Sequence, residues 1–298
     1  MSFRDGQILE RRPARYPGGC FEADGTTLAE AFRFLDEVEP VRIVYGSDGL
    51  RIGGFLVKPK GPGEHPCVIF NRGGNRDFSA IGDRVLVNLL CRIASWGYVV
   101  VASQYRGHGD NEGRDEFGGR DLDDVLNLIP LLEAEPGADA SRIGMYGGSR
   151  GGMMTYLALA RCHRIRAAVV RSGVADLLDM RRRPDMEEVF RELIPGYAQG
   201  DVDALAARSA TQWYDRLCKR TPILILHGSA DWRVDPGSAL RLAEGLLKAR
   251  QPFRLVMFEG SDHLLTEHVA ERDRLTREWF DRFVRDRAPL PDLDPHGD

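Results

Sequence analysis

The sequence has no C-x-x-C pair, no long run of lysine and arginine, and no uninterrupted apolar stretch approaching membrane-spanning length. Five cysteines, Cys20, Cys67, Cys91, Cys162 and Cys218, are scattered singly and are odd in number. Three of them lie in apolar strand or helix stretches, so reduced core thiols are expected, and a core built by 298 residues needs no disulfides to hold it. With 41 Lys+Arg against 45 Asp+Glu, the net charge of −4 leaves no electrostatic footprint for nucleic acid. Met1 to Pro17 is charged and lacks an apolar h-region, so no signal peptide is read there. Without a stretch of about 20 apolar residues, no membrane helix is read either. A soluble, cytoplasmic chain follows, with neither nucleic acid nor membrane as a partner. A homo-oligomer is left open. Asp121, Asp123 and Asp124 match no metal loop and are read as complementing a helix dipole. Gly73-Gly74 lacks the Lys-Ser/Thr of a phosphate loop. No metal and no cofactor are therefore expected.

What the chain does contain is a serine at a sharp turn. Arg142-Ile143-Gly144-Met145-Tyr146 reads as a strand, Gly147-Gly148-Ser149-Arg150-Gly151-Gly152 as the turn, and Met153 onward as a helix. Such a turn forces the serine out at the top of a sheet, and the helix behind it offers unpaired N–H groups to a developing negative charge. A hydroxyl nucleophile needs a base, and the base needs a carboxylate to fix its tautomer. Two later apolar strands supply candidates just past their carboxyl ends. Pro222–His227 leads to Asp231, and Phe253–Phe258 leads to His263. Ligands and catalytic groups collect at that edge of an open α/β sheet. Asp262 directly precedes His263 and is poorly placed to align with it. Asp235 precedes Pro236 at a helix start, where an N-cap role is expected. His227 and His108 are read as structural or solvated.

Apolar runs bounded by turn residues give eight strands. Val41–Tyr45 and Arg51–Lys58 form a hairpin, followed by Pro66–Asn71, Gly97–Ser103, Arg142–Tyr146, Arg166–Val170, Pro222–His227 and Phe253–Phe258. Helical patterns cover Ile81–Trp96, Asp121–Ala134, Ser149–Cys162, Pro236–Arg250 and Ala270–Arg287, with one more at Thr27–Val38. Serine after strand five, aspartate after seven and histidine after eight is the order of an α/β-hydrolase fold. The expected architecture is a mostly parallel eight-stranded sheet with helices on both faces and a small helical cap. Residues 1–40 read as an N-terminal extension and 41–287 as the hydrolase domain. Residues 173–217 read as the cap, with Arg181-Arg182-Arg183 on its solvated surface, and 288–298 as a disordered tail.

The motifs resemble the catalytic domain of the prolyl oligopeptidase family, within the α/β-hydrolase superfamily. The matching pieces are Gly147-Gly148-Ser149-Arg150-Gly151-Gly152, His227-Gly228-Ser229-Ala230-Asp231-Trp232-Arg233-Val234 and Gly260-Ser261-Asp262-His263. Tyr105-Arg106-Gly107, with Asp115-Glu116-Phe117-Gly118-Gly119 and Asp121, resembles the loop after the fourth strand in that family. By resemblance, Ser149 is the nucleophile, Asp231 the acid and His263 the base. The sequence departs from the family in having no room for a β-propeller that filters substrates by size. It also has no tyrosine in the loop Asn71-Arg72-Gly73-Gly74-Asn75, so the oxyanion donors are read as the backbone N–H of Arg150 and that of Gly74 or its immediate neighbours.

The reading is a serine hydrolase that cleaves an ester or a peptide/amide bond through an acyl-enzyme, on a small-molecule or short-peptide substrate. A carboxylesterase, thioesterase or lactone hydrolase is the alternative. A non-catalytic binding protein on the same scaffold is the alternative of another class, against which the intact Ser–Asp–His order argues. Arg72, Arg106, Arg150 and Arg171 each follow a strand at the catalytic edge. Either Arg72 or Arg150 is expected to hold an anionic substrate group. The alternative is that they pair with loop carboxylates and stiffen the loops, which is the reading for Arg106 in its own acidic loop. Arg72, Arg171 and Trp232 are the substrate-binding candidates.

Overall fold

The strands form where the sequence alternates or runs apolar. In the computed structural model, which describes residues 3–180 and 183–296, they are β1 (Ile8–Pro13), β2 (Val38–Ser47), β3 (Leu50–Pro59), β4 (His65–Asn71), β5 (Val99–Ser103), β6 (Ala138–Gly148), β7 (Ile165–Arg171), β8 (Ile223–Gly228) and β9 (Phe253–Phe258). They make one sheet in the order β1-β2-β3-β5-β4-β6-β7-β8-β9. The pairings β1–β2, β2–β3 and β3–β5 are antiparallel, and the rest are parallel.

The parallel strands are covered on both faces, which accounts for their near-continuous apolar sequence. Along β4, Cys67 and Ile69 join the core on one face, while Val68 and Phe70 join it on the other. Each such side chain, once fully buried, contributes about 1.5–3 kcal/mol. Helices Asp121–Leu126, Leu128–Ala134, Arg150–Arg161 and Pro236–Lys248 cover the first face. The segments Asp83–Val85, Leu86–Cys91 and Arg92–Ser95, with Val269–Phe280, cover the second.

The three-layer α/β architecture is present, with nine strands rather than eight. The strand missing from the sequence reading is β1, in the segment assigned to a separate extension. Glu10, Arg11 and Arg12 break any apolar run there, and Pro13 closes the strand. An edge strand needs ladder bonds on one side only, so it tolerates both. Arg11 and Lys58 converge on the buried carboxylate of Glu135, the latter at 2.9 Å, fastening β1 and β3 to the helix layer. The helix expected at Thr27–Val38 forms instead as a 3₁₀ helix over Glu30–Glu37, and it ends there because Val38 is drawn into β2.

Between β7 and β8 lie the helices Leu177–Met180, Pro184–Leu193 and Asp203–Ala206. Pro184 starts the second of these, where its missing N–H costs nothing. Its buried residues, Met186, Val189, Phe190 and Leu193, recur at helical spacing and face the domain. Phe190 meets Phe117 edge-on at 5.4 Å. The assignment of Arg181 and Arg182 to a solvated surface falls outside the described residues. Residues 288–296 carry no helix or strand. Among the described residues, no helix is long and apolar enough to cross a membrane.

Candidate active site

Ser149 stands between β6 and the helix Arg150–Arg161 with φ 57° and ψ −125°. A non-glycine residue held there stores about 1–3 kcal/mol of strain, so its surroundings must over-determine it. They do so through the backbone. Ser149 N–H donates to Arg171 O at 3.0 Å, and Ser149 O accepts from Gly152 at 2.9 Å and from Val174 at 3.1 Å. The turn is thereby pinned against the end of β7. Arg150 is the first helical residue, so its N–H has no acceptor one turn back.

The structure brings His263 and Asp231 together: Nδ1 of the imidazole lies 2.8 Å from Oδ2 of the carboxylate. Oδ1 of Asp231 accepts from the N–H groups of Arg233 at 2.9 Å and Val234 at 3.1 Å, which fixes the carboxylate plane. A second imidazole closes on the same group. His227 is fully buried, with Nε2 3.1 Å from Asp231 Oδ2 and also 3.1 Å from Val234 O. Burial works to push the Asp231 carboxyl up. Hydrogen bonds from His227 and His263, the nearby His263 imidazole and the Val234 N–H outweigh it, and the carboxyl is held well below the usual range. Sequence reasoning read His227 as structural or solvated and did not foresee its contact with Asp231, for which its place at the end of β8, four residues before Asp231, was a signal. Asp262 accepts from the N–H groups of Leu264 and Thr266, at 2.9 and 3.0 Å, and shapes its own turn. Asp235 accepts from Gly237 N–H as an N-cap.

Above the serine runs the loop after β4. A Cβ built on Gly73 would lie 3.2 Å from the Ser149 Cβ, so this backbone passes directly over the hydroxyl-bearing residue. Gly74 has φ +68°, and a Cβ there would lie 2.1 Å from Phe78 O. Only glycine fits that turn.

The two arginines expected to hold an anionic substrate do not have donors aimed at it. Arg72 is 1% exposed and donates to the carbonyls of Gln104 (3.0 Å), Gly73 (3.3 Å), Phe78 (3.3 Å) and Arg76 (2.8 Å). It is the internal scaffold of the loop, and burial together with the nearby Arg150 charge pulls it down to about 10. Arg150 points away from the turn into a buried cluster, meeting Asp115 at 2.6 and 2.7 Å, Asp121 at 2.6 Å and Gly74 O at 3.1 Å. Arg106 pairs with Asp124 at 2.7 Å and Asp48 at 2.9 Å, not with its own loop. Asp121 and Asp124 are therefore buried ion-pair partners rather than solvated helix-start charges, while Asp123 pairs with Arg161 at 2.9 Å.

Ser149 and His263 face one cavity of about 490 Å³. Its floor is the serine turn and the loop after β4. Phe78, Val174, Met180, Met186 and Val189 supply apolar walls, the last four from the segment between β7 and β8. Arg171 and Trp232 also line it, and Trp232 stands 71% exposed at the rim. The guanidinium groups of Arg183 and Arg233 lie over the Trp232 ring, both at 5.2 Å.

Residues 87–286 match the model of the prolyl oligopeptidase family. The chain is 29% identical over 241 residues to the uncharacterized peptidase YtmA of Bacillus subtilis, covering 79% of this chain and 91% of that protein. It is 26% identical over 251 residues to the human acylamino-acid-releasing enzyme, covering 76% of this chain but 32% of the relative. Among solved structures, the acylaminoacyl peptidase of Pyrococcus horikoshii superposes with a TM-score of 0.75 at 24% identity, over 89% of this chain and 44% of that one. A puromycin-hydrolyzing peptidase of Mycobacterium tuberculosis gives 0.75 at 24% identity, over 86% and 41%. The chain thus spans nearly all of YtmA and less than half of those two solved chains.

Proposed function

The chain belongs to the prolyl oligopeptidase family of serine hydrolases, and on that premise we propose that Ser149 is its nucleophile, His263 its general base and Asp231 the acid that orients the base. One arrangement carries this reading: a 2.8 Å imidazole–carboxylate contact in the wall of the same cavity as a serine held at positive φ. His263 uses Nδ1–H on Asp231, which leaves Nε2 to accept the Ser149 proton as Oγ attacks the carbonyl carbon. Asp231, its carboxyl held low, remains an anion and stabilises the imidazolium that forms. The tetrahedral oxyanion meets the N–H groups of Arg150 and Gly74. The imidazolium then protonates the departing amine or alcohol, and water attacks the acyl-enzyme through the same base.

The size of the cavity and its apolar walls suit a short peptide, an aminoacyl amide or an ester of similar size. Similarity to proteins named acylamino-acid-releasing enzyme and puromycin-hydrolyzing peptidase supports amide substrates. We place the protein in the cytoplasm, where its five free cysteines would stay reduced. It acts there without a nucleic-acid or membrane partner.

A panel of nitrophenyl esters and aminoacyl amides, with fluorophosphonate labelling read by intact mass, tests the assignment and ranks the two leaving groups. The expected result is one label per chain on Ser149, with Ser149→Ala losing the label and about a million-fold in turnover. Substantial turnover by a clean Ser149→Ala preparation would sink it.

A further inference from the structure

Among the described arginines around the cavity, Arg171 combines an unspent buried donor with the lack of a carboxylate partner. Arg150 also has an unpartnered Nε but is held by Asp115 and Asp121, and Arg233 stands exposed. It ends β7, opposite Gly148 in the β6 register, so it stands one residue from the serine turn. Its side chain folds back over Gly148, where a Cβ would lie 2.8 Å from Nη2. The second glycine of the Gly147-Gly148-Ser149 run is thus the space the guanidinium occupies. Nη1 donates to Leu264 O at 3.1 Å, the carbonyl just after His263. The group therefore bridges the strand bearing the nucleophile and the loop bearing the base.

No carboxylate among the described residues neutralises it. Arg150 meets Asp115 and Asp121 at 2.6 Å, and Arg183 meets Asp185 at 2.5 Å. Among the described residues, no carboxylate lies within ion-pair reach of Arg171. Its Nε is buried with no hydrogen-bond partner, an expensive state for a buried donor unless something arrives to accept from it. Arg72, also in the cavity wall, is bonded only to carbonyls and leaves further positive charge beside the site. A half-buried guanidinium with a spare donor and no carboxylate of its own suits a planar oxyanion that can accept two parallel bonds. Asp185, the carboxylate in the cavity wall, is taken by Arg183.

We propose that Arg171 anchors a carboxylate carried by the substrate, so that the enzyme selects acidic over neutral substrates of the same shape. The proposal rests on the hydrolase reading above and adds a substrate class to it. Arg233, although near the cavity mouth, lies over the Phe78 ring at 5.9 Å and the Trp232 ring at 5.2 Å, farther out and exposed.

The test compares the nitrophenyl monoester of glutaric acid with the ester in which the free carboxylate is a carboxamide. The wild-type protein is expected to favour the acid in kcat/KM by about ten- to a hundred-fold, the range for hydrogen bonds to a charged group. Added salt should narrow the preference. Arg171→Gln should remove it, and Arg171→Lys, which keeps the charge but not the fork, should retain part. Equal efficiencies in the wild-type protein would overturn the proposal. So would Arg171→Gln lowering both esters alike, since the residue would then only position the His263 loop through Leu264. Loss of the preference in Arg233→Gln but not in Arg171→Gln would overturn it as well. Calorimetric titration of glutarate into Ser149→Ala needs no turnover. Binding that depends on Arg171 without any wild-type turnover would fault the hydrolase reading alone, whereas neutral-ester turnover without charge selectivity would fault the carboxylate site alone.

Discussion

At the scale of single residues, Asp231 carries the most demanding job, because its two oxygens do different things. Oδ1 accepts two backbone N–H groups and shapes the loop through Val234, while Oδ2 receives His263 and His227. An asparagine here would keep its carbonyl oxygen toward the two N–H groups, which need an acceptor, and turn its NH2 toward the imidazoles. His263 would then be driven to the tautomer that carries its proton on Nε2, facing Ser149 with a donor instead of an acceptor. Asp231→Asn is accordingly expected to lower kcat by about 10⁴ while leaving KM and the fold nearly unchanged. Steady-state kinetics with an active-site titration would check it. A loss in KM alone would mean that the carboxylate binds substrate rather than orienting the base. Since the folded Asp231 carboxyl sits below its unfolded value, its contribution to stability is present above the usual carboxylate range and fades only as the pH falls through the lower folded value. The Asp231 carboxyl thus stays ionised on mild acidification and does not account for a fall in wild-type kcat/KM there.

Elements set those residues within reach of one another. The three strand-to-loop junctions at β6, β8 and β9 were legible in the sequence, because buried parallel strands run apolar and stop at glycine-rich turns. The side chains between those junctions were less legible. Nothing in a linear pattern tells that Arg150 turns inward to Asp115 and Asp121, or that Arg72 spends its donors on carbonyls up to 32 residues away. Direction is a property of packing, and the positions of Arg72 and Arg150 beside the catalytic motifs made the wrong direction attractive. The loop after β4 is the element most exposed to a single change. Gly74→Ala would place a methyl where only 2.1 Å separates it from Phe78 O, at a φ an alanine disfavours. The loop must shift, taking the Gly74 N–H away from the oxyanion it is proposed to meet. We expect kcat to fall about 10²–10³, the cost of one such donor, with fluorophosphonate labelling slowed but not abolished. Unaltered kcat in a folded Gly74→Ala protein would move the second donor elsewhere.

Across the whole molecule, β1 and the Arg150 cluster show the same limit on reading from sequence: both are long-range closures. An edge strand with two charged arginines declares itself only when β2 is beside it, and a buried salt-bridge cluster only when four segments meet. Arg150 ties the serine turn to the loop carrying Asp115, to the helix that begins at Asp121, and to the oxyanion loop through Gly74 O. Arg208, from the segment between β7 and β8, bonds the carbonyls of Glu116 and Phe117 in the same layer. Burial works to push the Asp115 carboxyl up, but the Arg150 charge and its hydrogen bonds hold it below its ordinary value. That part of its stability is present above the unfolded carboxylate value and is lost as pH falls through the lower folded one. Arg150→Met reverses the sign. With the Arg150 charge and its hydrogen bonds gone and only the weaker influence of the Arg72 charge left, burial makes the Asp115 carboxylate the disfavoured form. Its folded pKa is then expected to rise above the unfolded one, and stability to be lost as pH increases through that range. The variant is expected to be about 3–5 kcal/mol less stable than the wild type at pH 7, and the deficit should shrink as the pH is lowered toward 5. Urea midpoints at both pH values would measure it. A deficit that stays constant, or grows on acidification, would show that Arg150 stabilises the molecule through packing on the rings of Tyr105 and Phe117, which lie 5.2 and 4.5 Å from its guanidinium, rather than through its carboxylates.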